Sequence, residues 1–384
     1  MIKEGYEKSI ELLRKCSSEH GFYASAEEKD NYKRVFSRDG VISGISTLLT
    51  EEKDLIETFK NTLYTLKKYQ GRKGEIPSNV DPITGDVSYG MFSGKVDAPL
   101  WYVIGCVKYY EHTKDERFLS DHYEAICKTV DLLECWEFNR KDFIFVPESG
   151  DWADEMPRRG YLLYDQILYY LALDEFVKIK EDFAYFEEKR KRLREKIRVN
   201  FWPEEGADKE FIYHETTFSK MKKQPFWLGS FSATMQRFDA FANILAITSG
   251  ISSAKQNKSV VEYISKMFGD SLLPAFHPVI TEGSPEWEHL CAGYSFSFKN
   301  RPYEMHNGGV WPMINGFYVS ALCKIGEKRR AEQYLQKLIE ANKMNNWGFY
   351  EYLHGKDKTP KGMPYMAWNA AGQIIAIKSY EDLC

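Results

Sequence analysis

Four carboxylates lie within residues 148–155, a short segment that also contains Trp152. A solvated surface explains this cluster poorly, because an indole and a glycine interrupt it. A carboxylic acid held beside an indole loses solvation, so its pKa rises and it can stay protonated near neutral pH as a general acid. Asp154 and Asp151 are the two candidates for this role. Ion pairing with Arg158 and the arginine after it is the alternative, and it would lower their pKa instead.

A second carboxylate stands near the end of the chain, where Glu351 lies between Tyr350 and Tyr352. A lone glutamate among aromatic residues is costly to bury unless it has a partner or a function. Glu351 is therefore the expected catalytic partner of the acid. Glu304 and Glu148 are the alternative partners.

An adjacent Arg38-Asp39 pair enters a predicted helix. An arginine fork and a carboxylate can each form two hydrogen bonds with vicinal hydroxyls, which suits a polyol or a sugar ring. The simpler alternative is that Asp39 only caps the helix.

Aromatic and polar side chains accompany the carboxylates in the loops. An aromatic face packs on the C–H groups of a sugar, while carboxylates, amides and imidazoles bind its hydroxyls. Besides Arg38, Asp39 and Arg158, the candidates for substrate contact are Asp97, Trp101, Trp152, Trp227, His306, Asn307, Trp311, Tyr350 and Trp368.

Other catalytic signatures are missing from the sequence. The segment from His214 to Phe218 fails the HExxH zinc pattern, because Phe218 stands where the second histidine is required. The nucleophile-elbow, dinucleotide and Walker patterns are also absent. Seven scattered cysteines predict neither a disulfide framework nor a structural zinc site. We therefore expect no metal and no cofactor, which leaves paired-carboxylate chemistry in an aromatic cavity.

The composition narrows the class of partner. With 52 basic and 56 acidic side chains, a net charge of -4 provides no broad positive field, so nucleic-acid binding is not expected. No segment approaches the ~18 apolar residues of a membrane span, and the start lacks the apolar core of a secretion signal. We expect a cytoplasmic protein that acts on a small oligosaccharide or a glycosylated small molecule, and that can form a homo-oligomer.

Helices must position these residues. Segment 327–342 is amphipathic, whereas 160–177 and 308–325 are apolar nearly all round and belong in an interior. Hydrophobic periodicity predicts about twelve helices: 3–17, 39–50, 52–69, 96–113, 117–135, 160–177, 180–200, 232–248, 254–269, 308–325, 327–342 and 364–378.

The alternation of these two kinds predicts an all-α (α/α)6 toroid, in which six outer helices surround six inner ones. Connections from inner to outer helices are short, and those from outer to inner helices are long, so the long loops all reach one rim. Loops of more than about 12 to 15 residues are usually functional or disordered. These are rich in aromatic residues, which favours function over a helical-repeat scaffold. A ring grows around its circumference, so we expect residues 1–384 to form a single catalytic domain.

Taken in order, the motifs resemble those of the (α/α)6-barrel glycoside hydrolases, a clan that includes trehalases and processing α-glucosidases. The resemblance is closest to the glycogen-debranching amylo-α-1,6-glucosidases and the alkaline/neutral invertases. It is carried by Arg38-Asp39, Val96 to Trp101, Trp152-Ala153-Asp154, Asn307 to Pro312, Tyr350-Glu351-Tyr352 and Ala367 to Gly372.

The resemblance implies an inverting hydrolase of a small α-glucoside, with Asp154 as general acid and Glu351 as general base. The invertases carry the acid directly before an arginine pair and have an aspartate where His354 stands. Sucrose is therefore one candidate substrate beside an α-1,6-glucoside, glucosylglycerate and mannosylglycerate.

Two other functions fit the same sequence. One is a sugar isomerase or 2-epimerase on the same barrel, with His306 and His354 as its acid and base. The other is a carbohydrate-binding or helical interaction protein without catalysis.

Overall fold

The computed structural model describes residues 1–90, 92–180, 182–231, 236–293 and 297–383. Most of these residues are helical. The helices are α1 (Ile2–Cys16), α2 (Ser37–Thr47), α3 (Lys53–Lys68), α4 (Asp97–Thr113), α5 (Glu116–Cys135), α6 (Leu163–Phe176), α7 (Ala184–Asn200), α8 (Glu215–Phe218), α9 (Ala240–Thr248), α10 (Ala254–Phe268), α11 (Trp287–Ala292), α12 (Pro312–Lys324), α13 (Lys328–Trp347) and α14 (Ala367–Leu383).

Six helices form a closed inner ring, in which neighbours touch in the order α2, α4, α6, α9, α12, α14 and back to α2. Their sequences explain this position, because they have almost no polar face. In α9 every residue from Ala240 to Ile247 is buried. A helix that is apolar all round must be covered on all sides, and a ring of similar helices wrapped by a second ring provides that cover.

The outer helices α1, α3, α5, α7, α10 and α13 are amphipathic. Helix α10, for example, buries Val260, Val261 and Ile264 and begins with a capping box between Ser253 and Gln256. The predicted (α/α)6 toroid is confirmed. Among the described residues, no helix is both long enough and apolar enough to cross a membrane.

Short antiparallel strands, which the sequence did not predict, lead into the inner helices. A strand of two residues has no periodicity that a sequence pattern can reveal. The strands are β1 (Ser17–Ser18), β2 (Gly21–Phe22), β3 (Val35–Phe36), β4 (Asn79–Val80), β5 (Val87–Ser88), β6 (Tyr161–Leu162), β7 (Ser230–Phe231), β8 (Phe238–Asp239), β9 (Phe276–His277), β10 (Tyr352–Leu353) and β11 (Pro360–Lys361). They pair as β1-β2, β3-β4-β5, β6-β7, β8-β9 and β10-β11.

These strands correct the starts of several predicted helices. Segment 232–248 becomes helical only at Ala240, because residues 238–239 pair with β9 and Asp239 caps the helix by accepting a hydrogen bond from Ala242 N at 3.0 Å. Residues 232–235 of that prediction lie outside the described residues. Segment 160–177 likewise becomes helical only at Leu163, after β6, and segment 308–325 becomes helical only at Pro312.

The two kinds of connection differ in length as predicted. Those from inner to outer helices are short, at 48–52, 114–115, 177–183, 249–253 and 325–327, whereas those from outer to inner helices span 17–36, 69–96, 136–162, 201–239, 269–311 and 348–366. The inner helices therefore all begin at the rim that carries the long loops.

Two inner helices meet through glycine, and this contact is testable. A Cβ added at Gly316 of α12 would collide with the backbone of Gly372 in α14. We expect Gly316→Ala to lower the free energy of unfolding by about 1 to 3 kcal/mol, because backbone cannot move aside as a side chain can. A Cβ at Gly283 would meet no atom within 4 Å, so Gly283→Ala is the control. Equal thermal midpoints for the two variants would contradict the close contact.

Candidate active site

The long-loop rim surrounds a cavity of about 630 Å³. Among the described residues, every long loop except 201–239 contributes to its wall. The predicted site residues that line it are Arg38, Asp39, Trp152, Asp154, His306, Trp311, Glu351 and Trp368.

Arg38 and Asp39 reach this cavity from the first turn of α2, and a buried chain of contacts holds them. The Arg38 guanidinium donates to Asp97 Oδ2 at 2.8 Å, and the Tyr164 hydroxyl donates to the same oxygen at 3.2 Å. Trp101 donates to the Tyr164 oxygen at 2.9 Å. The predicted contact residues Asp97 and Trp101 thus stand behind the wall, where they orient Arg38.

Asp39 lies at the cavity beside this arginine. Burial raises the pKa of Asp39 to about 6, although Arg38 partly offsets that rise and Asp154 adds to it. Such a carboxyl group changes charge about one pH unit below Glu351, whose pKa is about 7.

Glu351 is buried in the cavity wall with both carboxylate oxygens bound. Tyr32 donates its hydroxyl to Oε1 at 2.7 Å, and the backbone N–H of Met363 donates to Oε2 at 3.2 Å. Burial nevertheless raises the pKa of Glu351 to about 7. The glutamate among aromatic residues is therefore buried, partnered and able to titrate near neutral pH.

Asp154 also lines the cavity, but its electrostatics differ from the prediction. Burial favours a higher pKa, yet the positive charges of Lys95 and Arg38 outweigh it, so the pKa of Asp154 lies below its ordinary value. The Lys95 ammonium is in direct contact with Asp154 Oδ1. The predicted rise in the pKa of Asp154 was wrong because Lys95, 59 residues earlier, supplies a buried cation.

The ion pairing expected as the alternative occurs at Asp151. Arg158 donates to Asp151 Oδ2 at 2.9 Å and to Asp239 Oδ2 at 2.8 Å, and all three side chains are buried. Burial still raises the pKa of Asp151 to about 6. Neither Asp151 nor Arg158 lines the cavity; together they tie the 136–162 loop to the strand that precedes α9.

Three predicted contact residues lie away from the cavity lining. Trp227 is fully buried in the loop that does not contribute to the wall. The Asn307 amide donates to the carbonyls of Ile280 and Asn300 at 2.9 and 3.1 Å, so it holds the loop together. The Tyr350 hydroxyl accepts a hydrogen bond from the Asn345 amide at 3.0 Å.

The alternative carboxylates and the second histidine also lie outside the lining. Glu148 contacts His289 Nε2 at 2.8 Å, and Glu304 faces Lys361 at 3.4 Å. His354 Nδ1 lies 3.1 Å from Asp357. Of the carboxylate pairs that the sequence left open, the cavity brings Asp154 and Glu351 together.

A cluster of rings forms one side of the cavity. His306 stacks on Trp311 with centroids 4.9 Å apart and meets Trp152 edge-on at 4.9 Å, while Trp368 meets Trp311 edge-on at 5.5 Å. Burial lowers the pKa of His306 to about 3, so the imidazole is neutral.

This wall contains hydrogen-bond donors without acceptors in the described part of the chain. They are the buried Nε of Arg38 and the Nε1 atoms of Trp152 and Trp368. An unpaired buried donor costs about 1 to 3 kcal/mol. Guanidinium and indole N–H groups can only donate, so these buried atoms add to the free-energy cost of forming the cavity wall.

Tyr32, Lys95 and Lys299 line the cavity and were not among the predicted site residues. Tyr32 stands shortly before the Arg38-Asp39 pair, and Lys95 stands two residues before Asp97. The position of Tyr32 and Lys95 beside the predicted sugar-binding residues was the one sequence feature that could have indicated them. The partners of Tyr32 and Lys95 lie 319 and 59 residues away along the chain, which no local pattern can reveal.

Comparison with known proteins extends this description. A family model for the bacterial α-L-rhamnosidase six-hairpin glycosidase domain matches residues 40–270, and a model for alkaline and neutral invertase matches residues 223–382. Probable alkaline/neutral invertase A, chloroplastic, of Arabidopsis thaliana is 24% identical, over 95% of this chain and 68% of the relative. Alkaline/neutral invertase E, chloroplastic, of the same plant is 25% identical, over 96% and 72%.

Solved structures share the fold at low identity. A GH63 mannosylglycerate hydrolase from Thermus thermophilus, in complex with Tris and D-glycerate, has a TM-score of 0.70 at 13% identity, covering 97% of this chain and 99% of that one. A rhamnosidase from Klebsiella oxytoca with rhamnose bound has a TM-score of 0.66 at 13% identity, covering 97% and 63%. Since the six-hairpin model alone matches more than half of the sequence, the chain belongs to the six-hairpin glycosidases of the (α/α)6 clan and is a glycoside hydrolase.

Proposed function

We propose that the protein is an inverting glycosidase that cleaves a small α-glucoside, with Asp154 as general acid and Glu351 as general base. The observation that carries this proposal is that one cavity is lined by the buried Glu351 and the half-exposed Asp154, whose pKa values are displaced in opposite directions. Separated pKa values are the usual basis of acid and base roles. By themselves they would make Glu351 the acid, so the roles proposed here follow the motifs Trp152-Ala153-Asp154 and Tyr350-Glu351-Tyr352.

In this mechanism Asp154 protonates the glycosidic oxygen while Glu351 removes a proton from a water on the opposite face of the sugar. The C–O bond to the leaving group breaks as the water oxygen bonds to the anomeric carbon. At the start of the reaction Asp154 must be protonated and Glu351 must be ionised. The water attacks from the side opposite the leaving group, so an α-glucoside yields β-glucose.

The other groups of the cavity hold the ring whose bond is cut. Asp39 accepts hydrogen bonds from sugar hydroxyls, and the Arg38 guanidinium donates to sugar oxygens. The buried rings of Trp311 and Trp152 support the wall on which the C–H groups of the sugar pack.

The proposed substrate is sucrose-like or an α-1,6-linked glucoside. Support for a small substrate comes from the cavity volume of about 630 Å³. Support for the sucrose-like option comes from the relatives, which are alkaline/neutral invertases. We further propose that residues 1–384 act as one catalytic domain in the cytoplasm, a location that suits the absence of disulfide bonds among the six described cysteines.

The epimerase alternative requires two histidines to act together. His306 lines the cavity, but His354 does not. The low pKa of His306 also makes it a poor proton donor near neutral pH. The site therefore supports carboxylate chemistry better than histidine chemistry.

Removal of either catalytic carboxylate tests the assignment. We expect Asp154→Asn and Glu351→Gln each to lower kcat by about 10²- to 10⁴-fold, since each variant loses one proton-transfer step. Glu304→Gln, which changes a carboxylate outside the cavity lining, is the matched control and should keep kcat. Proton NMR should follow the hydrolysis of the α-disaccharides that the enzyme cleaves. The β-anomer of the released sugar should appear first.

Two results would contradict this mechanism. Initial release of α-glucose would indicate a retaining enzyme. Substantial hydrolysis by both Asp154→Asn and Glu351→Gln would remove these residues from the catalytic role.

The Tyr32 hydrogen bond predicts a shift in the pH profile. The enzyme is active only when Asp154 and Glu351 hold one proton between them. Above about pH 7 Glu351 loses that proton and none remains for Asp154, so kcat/KM should fall. Glu351 is faced by Tyr32, Asp39, Lys299 and the N–H of Met363. Tyr32→Phe removes a donor that stabilises the carboxylate, so the pKa of Glu351 rises. The alkaline limb should then move up by about one pH unit.

The same change should lower the plateau of kcat/KM about tenfold, because the proton is held more tightly on Glu351 and less often on Asp154. Tyr64→Phe is the control, since Tyr64 donates to Asp121 at 2.8 Å on the outer surface. An alkaline limb that is unchanged in Tyr32→Phe would show that Glu351 does not govern it.

A further inference from the structure

Lys95 lies between β5 and α4 and has the contacts of a fixed internal cation. Its ammonium donates to the carbonyl oxygens of Ser149 at 2.7 Å and Asp151 at 3.0 Å, and to Asp154 Oδ1. The side chain is 11% exposed. An ammonium has three N–H donors, and all three are used here. A buried charge is tolerated when it is paired and hydrogen-bonded in this way.

These contacts join two long loops that are far apart in sequence. On one side of Lys95, the Ser93 hydroxyl donates to the Glu148 carbonyl at 2.6 Å. On the other side, the N–H of Val96 donates to the Gly150 carbonyl at 2.7 Å. Segment 93–96 is thus bound along segment 148–154, with the ammonium at the centre. The position of Asp154 depends on this junction as well as on its own loop.

The ammonium binds one oxygen of Asp154 and also sets its charge. Burial alone would raise the pKa of this carboxyl, and Lys95 is the largest of the influences that lower it, ahead of Arg38. Asp39, on α2, adds a negative charge nearby. Removal of Lys95 would therefore leave Arg38 as the positive charge that opposes burial and Asp39, because the His306 imidazole is neutral.

We propose that Lys95 is a positioning residue for the reaction, which fixes Asp154 against the 69–96 loop and holds a positive charge beside it. This inference rests on the proposed role of Asp154 as general acid. Lys95 does not exchange a proton with the substrate in this proposal; it acts through the position and charge of Asp154.

Variants of Lys95 separate the effect on charge from the effect on position. In Lys95→Met the pKa of Asp154 should rise, so the acidic limb of kcat/KM should move up by at least about one pH unit. In Lys95→Arg the charge remains, so the acidic limb should stay in place. A guanidinium cannot reproduce three bonds from one nitrogen, so kcat should fall about tenfold.

Lys196→Met is the matched control. Lys196 donates to Asp142 Oδ2 at 2.7 Å and to the Lys141 carbonyl at 3.0 Å, which is the same chemistry on an outer helix. Both limbs of its profile should match the wild-type protein. Circular dichroism and thermal unfolding verify that each variant is folded, and Lys95→Gln replaces Lys95→Met if the latter does not fold.

An unchanged acidic limb in a folded Lys95→Met or Lys95→Gln variant would overturn the effect on charge, and wild-type kcat in Lys95→Arg would overturn the effect on position. Asp154→Asn distinguishes these results from failure of the proposed function. If Asp154→Asn is inactive and the Lys95 variants behave like wild type, only the inference about Lys95 is wrong. If Asp154→Asn is active, the acid assignment itself is wrong.

Discussion

The fold depends on one constraint, which is that six helices without a polar face must be covered on every side. They satisfy this constraint by closing into a ring from α2 to α14, and the amphipathic outer helices pack around that ring. Closure brings the start of every inner helix to one rim. Residues in the first turns of α2 and α14, such as Asp39 and Trp368, therefore meet in one cavity although they are far apart in the chain.

The cavity then requires compensation for buried charge. Arg38 pairs with Asp97, Lys95 with Asp154, and Arg158 with both Asp151 and Asp239. An ionised group inside a protein is strongly destabilising without such a partner. Glu351 has hydrogen bonds but no ion pair within the described residues, and its pKa is accordingly the one raised to about 7. The ion pair of Asp154 and the deeper burial of Glu351 together distinguish the two proposed catalytic groups.

The sequence was sufficient for the architecture because helix faces and loop lengths are local properties. Apolar segments such as 308–325 predicted the inner ring, and the motifs on the loops predicted eight residues of the cavity lining. What could not be predicted depends on contacts between distant segments. The hydrogen bond from Tyr32 to Glu351 joins residues 319 positions apart. Asn307 lies in a motif that resembles the invertases, yet its amide donates to carbonyls of its own loop. The direction of the Asp154 pKa failed for the same reason, since only the fold places Lys95 beside it.

The raised pKa of Glu351 and the lowered pKa of Asp154 favour a shared proton on Glu351, whereas the proposed reaction needs it on Asp154. The substrate can itself supply the difference. The glycosidic oxygen is only an acceptor, so next to Asp154 it favours the protonated acid, which can donate to it. The attacking water is a donor toward Glu351, so it favours the carboxylate there. Sugar hydroxyls that donate to Asp39 stabilise its negative charge, so Asp39 does not take up the proton that Asp154 and Glu351 share. Because the two ends of the bond to be cleaved favour opposite protonation of the two carboxyls, a correctly bound glycoside shifts the proton to the acid. A ligand that lacks the glycosidic oxygen leaves it on Glu351.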